Sequence, residues 1–213
     1  MRQLDSHRNR LAGMALVLGG TLSIAGYVIT GTVFGSSDHD RFTPPLFPPL
    51  YSIALVGAVL SVLGLPAILA AHKEREARLT LVGYVGTFAA LVMLNVGEGV
   101  IEAFVKPYLV THGGIPKEAP TGLGIYFGIA SLFVLVGLIS LGIAVIRAKV
   151  FPRWVGALII SAVPFSFIGQ ALPGPLVDLA DYLLFIALIA IGWTVAKPAP
   201  NAQRLFAGAE ATT

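Results

Sequence analysis

Long apolar runs separated by short charged links dominate the pattern along this chain. Leu11–Phe34, Leu50–Ala71 and Leu123–Ile146 contain no charged residue. A helix rising about 1.5 Å per residue needs about 20 residues to cross a hydrocarbon core of about 30 Å. Leu79–Val105, Trp154–Ala171 and Leu176–Ala196 are also long enough, and the first and last of these carry carboxylates near one end. Backbone polar groups cannot stay unpaired in lipid, so such runs must be helical, and they are too long and continuous for barrel strands. The pattern predicts an all-α, six-transmembrane-helix bundle. A basic segment, 1–10, precedes a single membrane domain, 11–196, and a flexible tail, 197–213, follows it.

The links give the orientation. Eleven of the fourteen Lys and Arg residues flank one end of the runs: Arg2, Arg8, Arg10, Lys73, Arg75, Arg78, Arg147, Lys149, Arg153, Lys197 and Arg204. Only Arg41, Lys106 and Lys117 flank the other. Basic residues concentrate in short cytoplasmic loops, so both termini are expected inside the cell. Trp154 and Trp193 then fall near the inner interface, and Tyr51, Tyr108, Tyr126 and Tyr182 near the outer one. The outer link Gly35–Pro49 carries Pro44, Pro45, Pro48 and Pro49, which favour a stiff extended segment. Gly31-x-x-x-Gly35 and Gly124-x-x-x-Gly128 suggest close helix approach. Pro66 and Pro164 sit inside runs and are expected to bend them, with Ser161 and Ser166 placed to satisfy backbone groups freed at the second bend. Tyr51–Lys73 and Tyr126–Lys149 share a layout that alternating topology alone explains.

Composition sharpens the class. Of 213 residues, 56% are hydrophobic and 12% charged, about half the charged share of a soluble domain. The net charge is +3, with the basic residues spread as flanks rather than gathered in a patch with aromatics, so nucleic acid is not an expected partner. The absence of cysteine excludes disulfides, thiolate metal sites and cysteine nucleophiles. The first apolar run is longer than a signal-peptide core of about 7–15 residues and no small-residue cleavage site follows it, so it reads as an insertion signal that stays.

Ionisable groups inside spans are costly and point to function by default. Counted from the start of the third run, Asn95 and Glu98 lie roughly 24 and 28 Å along it, and Glu102 lies one turn further. Asp178 and Asp181, at the start of the last run, fall within roughly 8 Å of the same boundary, and Gln170 reaches a similar depth. Asn95, Glu98 and Glu102 form one helical stripe and Asp178 with Asp181 another. Lys106, four residues beyond Glu102, is a partner for it. Four carboxylates gathered with one local cation require that some keep a proton, that a cation joins them, or that water reaches them. The sequence therefore offers a polar, outward-facing pocket lined by Asn95, Glu98, Glu102, Gln170, Asp178 and Asp181. The plainer alternative is that these residues mark helix ends and reach up to water.

His39 and His112 fall in outer loops without compact ligand spacing, so no metal site is expected; His7 and His72 read as solvated flank residues. No phosphate-binding loop, dinucleotide fingerprint, nucleophile elbow or calcium loop is present, and no span holds a histidine for haem or a last-span lysine for retinal. No cofactor is expected. The fifth run opens as Phe151-Pro152-Arg153-Trp154-Val155-Gly156. With that opening and its layout, the chain resembles uncharacterised six-pass bacterial integral membrane proteins, which implies an inner-membrane protein of unassigned role and transfers no site residues. The expected partners are membrane lipids and a small cationic or lipid-like ligand. Three readings follow: binding or transport of a small cationic or amphiphilic ligand, a membrane-embedded enzyme using Glu98 or Asp181 as acid or base on a lipid-like substrate, and an accessory subunit with only packing roles.

Overall fold

The computed structural model describes residues 2–35, 37–72, 77–116, 118, 120–169, 172 and 174–197. These residues fold as helices and connecting turns, with no strand among them. Helix α1 (Arg2–Val33) is followed by the short α2 (Asp38–Phe42), then α3 (Phe47–Gly64) and α4 (Pro66–His72). Next come α5 (Ala77–Ala90), two π-helical segments (Leu91–Glu98 and Ile101–Val105) and α6 (Lys106–Thr111), which continue one another as a single apolar helix, Arg78–Thr111. Then follow α7 (Thr121–Ala148), α8 (Arg153–Ile168), a 3₁₀ turn (Gly174–Asp178) and α9 (Leu179–Ala196). Five helical stretches are long and apolar enough to cross a membrane: His7–Val33, Phe47–His72, Arg78–Thr111, Thr121–Ala148 and Leu176–Ala196. Large apolar side chains such as Leu18, Leu63 and Leu132 are more than half exposed. So broad an apolar surface suits lipid and not water.

The helices pack in a ring that follows chain order: α1 on α3, α3 on the π segments, α5 on α7, α7 on α8, α8 on α9, and α9 back on α1. Where lipid is as apolar as the side chains, association depends on close packing and interhelical hydrogen bonds, so small residues mark the contacts. Gly19 lies where a methyl group would meet the Ser61 amide nitrogen at 2.6 Å, and Gly26 is equally tight against Ala54. Ser23 Oγ adds a hydrogen bond to the Ala54 carbonyl at 3.3 Å. Gly83 and Gly86 seat α5 against Leu141 and Gly137 of α7; Gly142 meets Gly156 between α7 and α8, and Gly13 meets Gly192 between α1 and α9.

Several expectations change. Among the described residues nothing lies within 4 Å of a methyl added at Gly124 or Gly128, and Gly35 packs against Asp40 in its own loop, so helices do not meet at these three glycines. The proline-rich link is not an extended strut. Asp38–Phe42 is helical, capped by Ser37, and α3 starts at Phe47 with Pro48 and Pro49 in its first turn. Prolines fit there because the first-turn amides have no helical partner. Pro66 does interrupt its helix, since the regular helix stops at Gly64 and resumes after Leu65. Pro164 sits inside an uninterrupted α8, and Ser166 donates to the Ala162 carbonyl at 3.0 Å.

His72 is also not solvated. It is 2% exposed, paired through Nδ1 with the Ile68 carbonyl at 2.8 Å and set 5.6 Å from the Phe151 ring. Its helix turns it back into the bundle, where a hydrogen bond to the preceding turn replaces water on one nitrogen. Tyr51, expected at an interface, is buried among Tyr27 and Phe47. Tyr108 is the one of the four tyrosines that is strongly exposed.

Candidate functional site

A cavity of about 800 Å³ opens at the end of the ring that holds α2 and α6. Residues from α1, α2, α3, α7, α8, α9 and the π-helical stretch all line it. Asn95, Glu98, Glu102, Asp178 and Asp181 are among them; Gln170 lies outside the described residues. Among the described residues, the helix bearing Asn95, Glu98 and Glu102 and the one bearing Asp181 are not a closely packed pair. They flank the cavity and meet through one side-chain bond, Asn95 Nδ2 to Asp181 Oδ1 at 2.6 Å. The same amide group donates to the Tyr27 hydroxyl at 3.2 Å. Asn95 thereby ties α1 and α9 to the third membrane helix across a buried polar network.

Local structure explains why these groups face inward. The two π-helical segments carry Asn95, Glu98 and Glu102 themselves. A π turn inserts an extra residue and re-aims the side chains around it, and such turns occur frequently at functional sites. Tyr126 of α7 braces the first segment by donating to the Met93 carbonyl at 2.6 Å. Gly97 lies directly beneath that hydroxyl, where any side chain would collide with it. Asp178 precedes α9 at the position of a capping residue but makes no capping bond. Its carboxylate lines the cavity instead.

Helix-end placement does not account for the glutamates. The third membrane helix continues to Thr111, nine residues beyond Glu102, so neither Glu98 nor Glu102 marks its end. Glu102 pairs with Lys106 through one oxygen, while its other oxygen is buried without a partner among the described residues. Arg41 of α2 is a second cation at the rim. Arg41 and Lys106 both lie over the Phe42 ring, at 5.6 and 5.4 Å from its centre. Phe42 stacks edge-on with Phe47 at 5.0 Å, so α2 is anchored beside the mouth by aromatic packing.

In total five carboxylates, counting Asp38, face two cations around the cavity. Between the two carboxylate-bearing helices in the ring, Phe127, Val134, Leu138, Ala162 and Phe165 of α7 and α8 form an apolar wall with Ser131 and Ser166 among them. Tyr27, Arg41, Phe42 and the π-helical geometry escape a reading of the sequence alone. Tyr27 lies in an otherwise ordinary span, and Arg41 looks like a loop cation. His39 and His112 are exposed, and His112 stacks on Tyr108 with ring centres 4.1 Å apart. No three His, Asp or Glu side chains among the described residues are arranged to hold a metal ion. No family model matches the chain, and no curated protein or solved structure matches it either.

Proposed function

We propose that the chain is a six-pass protein of a bacterial inner membrane, with both termini cytoplasmic, whose cavity opens outward and binds a small cationic or amphiphilic ligand. The observation that carries this reading is the pairing of an acidic wall, Glu98, Glu102, Asp178 and Asp181, with an apolar wall from α7 and α8. A cation entering that space replaces water around carboxylates that outnumber the local cations, while its apolar part meets Val134, Leu138 and Phe165. For the sixth span, α8 is apolar and has 16 residues, about 24 Å at the helical rise. It stands between α7 and α9 in the ring, which supports a sixth crossing.

Binding has more support than passage. Beyond the cavity floor the ring is filled by Leu16, Ile68, Leu141, Ile159, Leu188 and Ile191, all fully buried. A path through the bundle needs that plug to rearrange, and the polar side chains buried beyond the cavity, among them Ser61, His72, Thr80 and Thr87, are scattered between these apolar groups.

Tetraphenylphosphonium and tetraphenylborate have one shape and opposite charges, which makes them a direct test with purified protein. The phosphonium is expected to bind and the borate not to. A charge about 8 Å from a carboxylate at an effective dielectric of about 20 is worth about 2 kcal/mol. Asp181→Asn should therefore weaken phosphonium binding about thirtyfold. Equal binding of the two ions, or of wild type and variant, overturns the proposal.

A further inference from the structure

The acidic wall names the head of the ligand; the packing of α7 and α8 bears on its tail. The two helices hold each other tightly at the end where their link joins them, through Gly142 and Gly156. Toward the cavity end that packing stops. The first nine residues of α7, Thr121–Ile129, include none that is buried, and burial begins only at Ala130. In α8, burial extends to Val163, and none of the next five residues, Pro164 to Ile168, is buried. Four of the five are exposed and Phe165 is half-buried, so that end of α8 is largely uncovered by the described residues. Between these two loosened ends, Phe127 and Ser131 of α7 and Phe165 and Ser166 of α8 line the cavity itself. The cavity lining thus reaches the two helix ends that the described residues leave largely uncovered.

Resting on the binding reading above, we propose that α7 and α8 frame a lateral opening to the outer leaflet, and that the ligand is a single-chain cationic amphiphile. Its head sits among Asp178, Asp181 and Glu98, and its alkyl tail leaves between α7 and α8. Continuity selects this occupant, because one space joins a cluster of carboxylates to an apolar slot facing lipid. A free inorganic cation leaves the slot unused, and a neutral or anionic lipid leaves the carboxylates unmatched.

The test uses alkyltrimethylammonium ions of increasing chain length with the full chain in lipid nanodiscs, tetraphenylphosphonium serving as the reference ligand. Each methylene in contact with the apolar slot contributes about 0.8 kcal/mol, or about fourfold in affinity. Wild type should show that rise. Ser131→Trp, which fills the slot, should flatten it, the affinity ratio of long-chain to short-chain ions falling whether or not tetraphenylphosphonium binding also changes. Ser166→Trp, on the facing helix at an exposed position, provides the same readout if the first variant folds poorly. The same chain-length slope in wild type and both variants reflects partition into the bilayer and overturns the opening, leaving the acidic site in place so long as tetraphenylphosphonium binds. If tetraphenylphosphonium does not bind wild type, the site reading falls as well. A stable dimer that Gly128→Trp abolishes puts a second copy over the slot, and that also overturns the opening.

Discussion

Gly97 and Tyr126 show how much one missing side chain can position. Without a β-carbon at Gly97, the Tyr126 hydroxyl reaches the Met93 carbonyl inside the π-helical stretch that presents Asn95 and Glu98. Gly97→Ala should displace that hydroxyl, and losing this part-buried hydrogen bond costs about 0.5–1.5 kcal/mol. Thermal unfolding of the detergent-purified variants should show the loss. It should also show that Gly97→Ala costs little once Tyr126→Phe has removed the hydroxyl, since residues sharing one contact are not additive. Full additivity of the two changes would mean the glycine serves something else. The carboxylates of the site were legible in the sequence because charge inside an apolar run is conspicuous. Tyr27 was not, because a tyrosine within a span is ordinary until a partner such as Asn95, 68 positions away, comes to meet it.

At the level of elements, apolar length found the helices well and their contacts poorly. Run lengths located the long helices to within a few residues, except where the first began nine residues early at Arg2 and the third continued to Thr111. Spacing patterns did not find the interfaces. Gly124 and Gly128 match the two-glycine motif and touch no described residue, whereas Gly19, Gly57 and Gly86, which fit only the looser small-x-x-x-small pattern with Ser23, Ser61 and Ala90, lie against other backbones. A motif states that close approach is sterically allowed; the ring order decides which allowed faces meet. Substitution separates the two cases. Gly19→Leu forces a side chain into the Ser61 backbone and should cost about 1–3 kcal/mol or more, seen as a lower unfolding temperature or loss of folded protein. Gly124→Leu projects into open space and should stay within about 0.5 kcal/mol of wild type. Equal sensitivity at both positions would place a partner on the Gly124 face.

For the whole molecule, the basic asymmetry and the ring combine into one test of topology. The chain has no cysteine, so single cysteines report without background. His39 and His112 are exposed at the cavity end, while His7 and Val150 are exposed at the opposite end. If eleven basic residues hold the second end in the cytoplasm, a membrane-impermeant maleimide should label His39→Cys and His112→Cys on intact cells. It should reach His7→Cys and Val150→Cys only after lysis. Lys197→Cys decides the number of crossings, because it follows α9 directly. With α8 crossing, Lys197 lies on the same side as His7 and is labelled only after lysis. Without it, five crossings carry Lys197 to the side of His112, and intact cells label it. Exposed labelling at His7 and Val150 with protection at His39 would invert the protein. The cavity would then face the cytoplasm and draw its ligand from there.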